Sequence, residues 1–494
     1  MQKLFELIFS PILDQINSKF SVDGFDFTIN IKFIVADKPA RSMMLNMQST
    51  NAEYMCPVCL CTSCVKVKDK DTNTKKSIFI PYTENPNYTR RTHSGFSAVA
   101  YSAQSSNKPE YGIKGTCFLQ NIVGLDLIEC NIFDYMHSVC LGIFKSITHL
   151  LFFSTDSPYS YRSSLSEFDA TTKNIKFPSN LSNVPPLLSN VSMWKAKDYR
   201  SFFLFCFPIF FYGQFSTFEN GISKLCKGLV LLSEDVSKER CEVARKCFQV
   251  FLKSFEETYG ENKMTANFHD LYHLPEMALS CGSLCGYSGF NFEHINGRLS
   301  RLCKGNKRFD LQISRKITAI CDLPDPLPDD QSDEASFLRK IFSPRKWKTN
   351  IRISESISIC GIMKKADISQ LQNFEFFDSS KNYSSAERAV VRGKKVSTES
   401  YAKKKTFNNS CMISKKFDMA IFIEQIIIRK ETEKMTAFVV ARSHKIENSD
   451  FLLFNFSKEY IKTEINLEHL LDCYAFAVTD TEKLAIFVPK LEYY

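Results

Sequence analysis

The sequence predicts an α+β protein, with a large helical region flanked by strand-forming segments and a small all-β module at the C-terminal end. Three patterns predict this. Ile29, Ile31, Phe33 and Val35 fall at alternate positions, the period of a half-buried strand. Apolar residues then recur at helical spacing in seven stretches, 136–153, 195–212, 215–233, 237–259, 264–280, 290–303 and 309–321. Beyond residue 418, the runs AIFIEQIIIR, TAFVVAR, DFLLFNF, YAFAV and LAIFVP read as five short strands.

The elements follow in chain order. Leu4, Leu7, Ile8, Ile12 and Ile16 predict an opening helix kinked at Pro11. Asp23 and Asp26 fall in the turn from this helix to the strand, which ends at Ala36-Asp37. Residues 51–120 are rich in Ser, Thr, Asn, Lys, Tyr and Cys, and read as loops around a cysteine knuckle. The Ser-, Pro- and Asn-rich stretch 154–193 reads as a loop or insert between helices. The acidic, Pro-rich run DLPDPLPDDQSD (322–333) is the best domain boundary. Residues 364–416 hold twelve Lys or Arg against five acids, a net +7, which reads as a solvated connector. The expected divisions are therefore 1–60, 61–133, 134–289, 290–321, 322–417 and 418–494, with no internal repeat.

Composition excludes several classes. At 44% apolar and 24% charged the 494 residues are globular, not disordered or fibrous. The longest apolar run, Phe202 to Tyr212, is interrupted by Pro208 and falls short of the ~20 residues of a membrane span. No basic start with an apolar stretch and cleavage site is seen, so an intracellular protein with no membrane partner is expected. Its 18 cysteines should then be mostly reduced, serving as buried filler or as metal ligands where spacing is tight. A formal charge of +9 favours an anionic partner.

The chemistry concentrates at a few places. Cys56-Pro-Val-Cys59 is a knuckle able to clamp one tetrahedral ion, for which zinc is the usual occupant. Its other two ligands have two sources: Cys61 and Cys64 close by, or His269 and His273, which a helix places on one face. The segment HDLYH has the outline of a zinc-protease motif, but Asp270 is shorter than the Glu required and no third ligand follows. Asp37 at a strand tip and Glu293 after a Gly-rich loop are carboxylates placed as divalent-ion ligands would be. Glu293 is followed by Arg298, Arg301, Lys304, Lys307 and Arg308, a basic face suited to a polyanion.

These residues together resemble the catalytic core of eukaryotic cut-and-paste DNA transposases of the CACTA (En/Spm-like) group, relatives of the V(D)J recombinase. The resemblance runs through IVADKPAR, CPVC, NIFDYMHSVCLGIFK, MWKAKDYRSFFLF, FEETYGENKMTANFHDLYHL and SGFNFEHINGRL, over roughly residues 1–320. It implies an RNase H-like fold with three metal-binding acids, interrupted by a helical insertion. Asp37 matches the second acid and Glu293 the third. Cys56, Cys59, His269 and His273 match the ligands of a structural Zn²⁺. Catalytic Mg²⁺ or Mn²⁺, double-stranded DNA at transposon ends, a homodimer and a nuclear location are implied likewise. Arg41, Arg298, Arg301, Lys304, Lys307 and Arg308 are the expected DNA contacts. Asp134, His137 and Trp194 belong to family motifs: Asp134 is expected to cap the next helix, and Trp194 to sit in the core or stack on a base. The chain opens at the helix ahead of the second acid, so the expectation is a partial RNase H-like core without its first Asp. That points to a misplaced start at Met1, to a truncated, inactive or domesticated relic without strand transfer, or to a DNA- or chromatin-binding zinc protein.

Overall fold

The structure, a computed structural model, describes residues 10, 12–49, 52–61, 65–67, 77–84, 86, 88–155, 159–179, 184–211, 217–305, 307–321, 350–391, 394–405, 407–414, 419–431, 434–450, 453–457, 459–467, 473–478 and 484–488. Helix and sheet both contribute, and the chain divides into two compact units. Residues 1–169 with 185–290 form unit 1, and residues 170–184 with 291–494 form unit 2. The expected boundary at 322–333, Cys64 and most of the opening helix lie outside the described residues.

Unit 1 begins with a hairpin. Strands β1 (Lys19–Val22) and β2 (Phe25–Thr28) pair antiparallel, joined by Asp23 and Gly24 with φ of 52° and 81°. Two successive residues of positive φ close a tight turn whose twist suits a hairpin, and Asp-Gly is a favoured pair there. SVDGFDF is thus a hairpin and not a helix-to-strand turn. The strand expected over 29–35 is shortened to β3 (Ile34–Ala36), which pairs in parallel with β6 (Asn131–Phe133) from Ile34↔Asn131 to Ala36↔Phe133. Pairing sets its length: Ile29 and Phe33 find no neighbouring strand and stay exposed. Helix α1 (Lys38–Met44) starts directly after β3, with proline in its first turn and the Asp37 carboxylate accepting from Ala40 N at 2.8 Å.

Residues 61–133 hold more than loops. Two short strands, β4 (Val65–Val67) and β5 (Ser77–Phe79), pair antiparallel. Helix α2 (His93–Ser106) is capped by Thr92, whose hydroxyl accepts from Gly95 N, and ends at left-handed Asn107. It buries only Phe96, Ala100 and Ala103. So narrow an apolar stripe among Ser, Gln and Tyr hid the helix from the periodicity.

The helical region fits its expected spans closely. A π-helical segment (Met136–Phe144) runs into α3 (Lys145–Phe152). The stretch 154–193, expected as a loop, contains α4 (Leu165–Asn174). Helix α5 (Ala196–Ser201) continues through a second π segment (Phe202–Cys206) into α6 (Phe207–Phe210). The wide turns end two residues before Pro208, whose ring would strike the carbonyl four residues back in a regular helix. Much of the phenylalanine content is used here: Phe144 stacks on Phe203 at 4.3 Å between ring centroids, and Phe152 meets Phe168 and Phe202 edge-on. Helices α7 (Thr217–Ser233) and α8 (Lys238–Tyr259) pack closely at Gly221 and Gly228, where a Cβ would run into Ser254 and the Phe248 ring.

The helix expected over 264–280 is broken. Helix α9 (Ala266–His269) gives way to a single tight turn over Asp270–Tyr272, and α10 (Leu274–Cys281) starts with Pro275 in its first turn. Pro275 lacks the N–H that a continuous helix needs there. Helix α11 (Gly289–Leu302) begins in unit 1 and continues into unit 2 as the element bearing Glu293.

Unit 2 contains α12 (Phe309–Cys321) and a β module. Residues 364–416, expected as a connector, are instead largely folded. Strands β7 (Asn350–Arg352), β8 (Ile357–Cys360), β11 (Arg388–Val391) and β12 (Lys394–Ser397) form a four-stranded sheet in the order β12-β11-β8-β7. Strands β9 (Lys364–Lys365), β10 (Asn382–Ala386) and β13 (Cys411–Ser414) join the second sheet, and α13 (Glu399–Lys403) follows β12. The five strands expected after 418 are β14 (Met419–Lys430), β15 (Met435–Asp450), β16 (Leu453–Phe456), β18 (Cys473–Val478) and β19 (Leu484–Val488), with β17 (Ile461–Asn466) as a sixth. Ile357, Ile359, Ala389, Val391 and Val396 from the smaller sheet share one core with Met412, Ile421, Ile423, Ile428 and Val439 from the larger. Alternation puts Arg352, Ser358, Val390 and Lys395 on the other face of the smaller sheet, which is open at these positions and covered at Cys360 and Ser397.

Among the described residues no helix is long and apolar enough to cross a membrane.

Candidate metal centre

Cys56, Cys59, His269 and His273 converge, all buried, with one ligand atom from each lying within 4.8 Å of the others. Cys56 Sγ is 3.6 Å from His273 Nε2, Cys59 Sγ is 3.3 Å from His269 Nε2, and the two Nε2 atoms are 3.2 Å apart. A tetrahedral zinc with bonds of about 2.0 Å to nitrogen and 2.3 Å to sulfur places N and N roughly 3.3 Å apart and N and S roughly 3.6 Å apart. The group therefore fits a divalent ion such as zinc. With four protein ligands the site is closed, which suits a structural ion rather than one that activates water.

Several contacts hold the ligands in place. Arg91 is buried and donates through Nε to the Cys56 carbonyl at 3.0 Å and through Nη2 to that of Tyr111 at 2.7 Å. Backbone bonds from Arg91 N to Val58 O and from Leu60 N to Thr89 O tie the knuckle to the following strand-like segment. Tyr88 meets the His269 ring edge-on, and Phe133 of β6 does the same to His273. The break between α9 and α10 changes the expected helical geometry of the histidines without separating them. Gly142 in the π segment makes room as well, because a Cβ there would collide with Asn267 of α9.

Burial raises the Cys56 thiol pKa, but its hydrogen bond with Cys59 and the charges of His273 and His269 outweigh this and hold it well below the ordinary value. That shared bond, with burial, pushes the Cys59 thiol up. A dication bound here would displace protons from the ligand set. The His273 imidazole is raised against the effect of burial, chiefly by Cys56.

A charge network adjoins the centre. Lys38, directly after Asp37, donates to the Asp270 carboxylate and to the Ala266 carbonyl. Asp270 also accepts from Ser138 Oγ at 2.6 Å. Asp270 is therefore a partner of Lys38 and not a protease base. The sequence reading missed both: Lys38 could have been found by its place next to Asp37, whereas Arg91, 32 residues after Cys59, has no local signal.

The remaining candidates are placed as follows. Asp37 is half-buried with one oxygen committed to the α1 cap. Arg41 is a correction: only 5% exposed, it lies over the Phe133 ring at 4.3 Å and donates to the Ile132 carbonyl, so it is an interior residue and not a surface phosphate contact. Asp134 caps the start of the π segment through Met136 N, pairs with His137 Nδ1 at 2.6 Å, and accepts from Gly289 N at 2.8 Å. Trp194 is buried against Tyr199 and Phe202, its Nε1 donating to the Leu187 carbonyl. Glu293, Arg298, Arg301, Lys304, Lys307 and Arg308 are exposed in unit 2.

Asp134 anchors α11, because Gly289 allows an approach that a Cβ would block outright. Gly289→Ala is expected to cost about 1–3 kcal/mol, since the carboxylate has three bonds to lose and little space to shift into. Urea unfolding measures this; a change within ~0.5 kcal/mol would show that the anchor is dispensable.

No protein-family model matches the chain, and no curated protein sequence matches it.

Proposed function

We propose that this chain is a transposase-derived, zinc-stabilised DNA-binding protein built on the core of a metal-dependent DDE transposase. The observation that carries the reading is the Cys₂His₂ group, assembled from segments more than 200 residues apart in the order that the CACTA resemblance implies. In this reading β3, α1 and β6 belong to an RNase H-like core, and the helices between β6 and α11 are its insertion. Zinc fastens both ends of that insertion. The resemblance makes Asp37 and Glu293, each taken by itself, the candidate acids for Mg²⁺ or Mn²⁺, which would supply activation of water and then of a DNA 3′-hydroxyl for attack on phosphate. Lys38 positions Asp37 by fixing the start of α1 against Asp270. The partner is double-stranded DNA, the location nuclear and the working state a homodimer.

A second reading keeps the scaffold without the chemistry, as a DNA- or chromatin-binding protein. It is favoured by the Asp37 carboxylate, which serves a helix cap. Incubation with transposon-end duplexes in Mg²⁺ or Mn²⁺ separates the two: strand cleavage supports the enzyme, and intact DNA that is nevertheless bound supports the binder.

Either reading places DNA on the exposed basic side of α11. Arg301→Ala is expected to weaken duplex binding and to reduce the salt slope by ~0.9, the value of one phosphate contact. Glu293→Gln should spare affinity or raise it slightly by removing a negative charge. Anisotropy titrations across a salt series measure both, and unchanged binding in both variants would remove this helix from the interface.

A further inference from the structure

We propose that the outward face of the four-stranded sheet, with the lysines following α13, is a second surface for the phosphate backbone of double-stranded DNA. It goes beyond the reading above and assigns a role to the C-terminal β module. The stretch 381–405 carries eight Lys or Arg against two acids, 8 − 2 = +6. In a connector that charge would be diffuse; folding gives Arg388 and Lys395 fixed places on one face of the sheet. Register decides which side. Ala389↔Val396 and Ile359↔Ala389 point into the shared core, so Arg388, Val390↔Lys395 and Arg352↔Ser358 point away from it. Arg352 and Lys395 are exposed. Arg388 and Lys395 both pull the neighbouring Cys360 thiol down against the rise caused by burial, which places the two cations together.

Arg388 is held in place. Its guanidinium lies over the Tyr401 ring at 5.0 Å and against Gly361, where φ is +92° and a Cβ would crowd it. Lys405 lies over the same ring at 5.2 Å, and Lys403, Lys404 and Lys405 are all exposed. Lys176 donates to the Ala402 and Lys403 carbonyls, adding a cation at the end of α13. Of the two acids in the stretch, Glu399 is taken up by Arg442, both carboxylate oxygens accepting from Nη2 at 2.7 and 2.8 Å. Glu387 is exposed and remains as local negative charge. An ordered sheet face rich in cations, with long side chains at its margin, suits a rigid polyanion whose phosphates are regularly spaced.

The test uses the full chain with Lys395→Ala, Lys403→Ala and Lys404→Ala combined, titrated with a short random-sequence duplex across a salt series. Because these side chains are exposed, melting should be unchanged. Affinity is expected to fall about tenfold or more and the salt slope by up to ~2.7, three contacts at ~0.9 each. The matching triple Arg variant should keep both. Affinity and slope equal to the parent would overturn the proposal. So would loss of binding to phosphatidylserine vesicles with duplex binding intact, which would make this a lipid-facing surface. Arg301→Ala, measured in parallel, keeps the readings apart: loss there with none here overturns this face alone.

Discussion

Cys56→Ser should abolish metal binding and unfold unit 1 at a much lower temperature. The parent chain is expected to hold one zinc per molecule by elemental analysis, and the variant none. Metal-binding free energy at such sites is folding free energy, so the loss is large. A loss of ~5 kcal/mol would lower the melting temperature by about 10–20 °C for a unit of this size. His273→Ala should behave alike, because its Nε2 lies 3.6 Å from the same sulfur. Cys61→Ser provides the contrast. It should retain one equivalent of zinc, since Cys61 is buried but outside the converging group. Retention of zinc by Cys56→Ser, or its loss in Cys61→Ser, would place the ion elsewhere. Binding must displace protons from sulfur and imidazole, so apparent zinc affinity should fall as pH falls.

The second large effect is expected at Lys38 and Asp270. Burial pulls the Lys38 ammonium below its ordinary pKa, opposed by the charge of Asp270. Removing one partner strands the other charge in the interior. Asp270→Ala should therefore cost about 3–5 kcal/mol. Lys38→Met should cost a similar amount. The double variant should cost clearly less than the sum, because no charge is left unpaired. A double-mutant cycle by urea unfolding measures the coupling, and simple additivity would show that the ion pair does not act as a unit. Zinc content distinguishes this network from the ligands, as Lys38→Met should still bind metal.

What the sequence made legible was chemistry with strong local rules. The CxxC turn and the i, i+4 histidines named the metal group, although the helix beneath the histidines proved to be interrupted at Pro275. The long helices and the apolar C-terminal strands were legible for the same reason, since each carries a wide stripe or a dense β-branched run. The failures have physical causes. Helix α2 buries three residues and is otherwise polar, so its period was faint. The Asp23-Gly24 hairpin had a clear turn signal, but the alternation at 29–35 drew the strand to the wrong place. Pairing with a strand nearly 100 residues away set the limits of β3, and no local pattern reports that. Arg41 was expected at the surface only because the resemblance implies a DNA contact there; the tertiary contact with Phe133 shows it to be inside. The basic stretch 364–416 was misread because charge density says nothing about whether alternate residues are buried.

The distance in sequence between the two halves of the metal centre has a consequence for biosynthesis. Cys56 leaves the ribosome 217 residues before His273, an interval of roughly 10–40 s at ~5–20 residues per second. Throughout that time the nascent chain carries a thiol pair with half of its ligand set. Such a pair is open to oxidation and to capture by softer metals that accept two thiolates. Unit 1 therefore cannot mature in step with its own synthesis. Its N-terminal portion must wait, shielded, until the histidine segment arrives, and yield in cells should depend on the supply of zinc and of reductant during translation as much as on the stability of the finished fold.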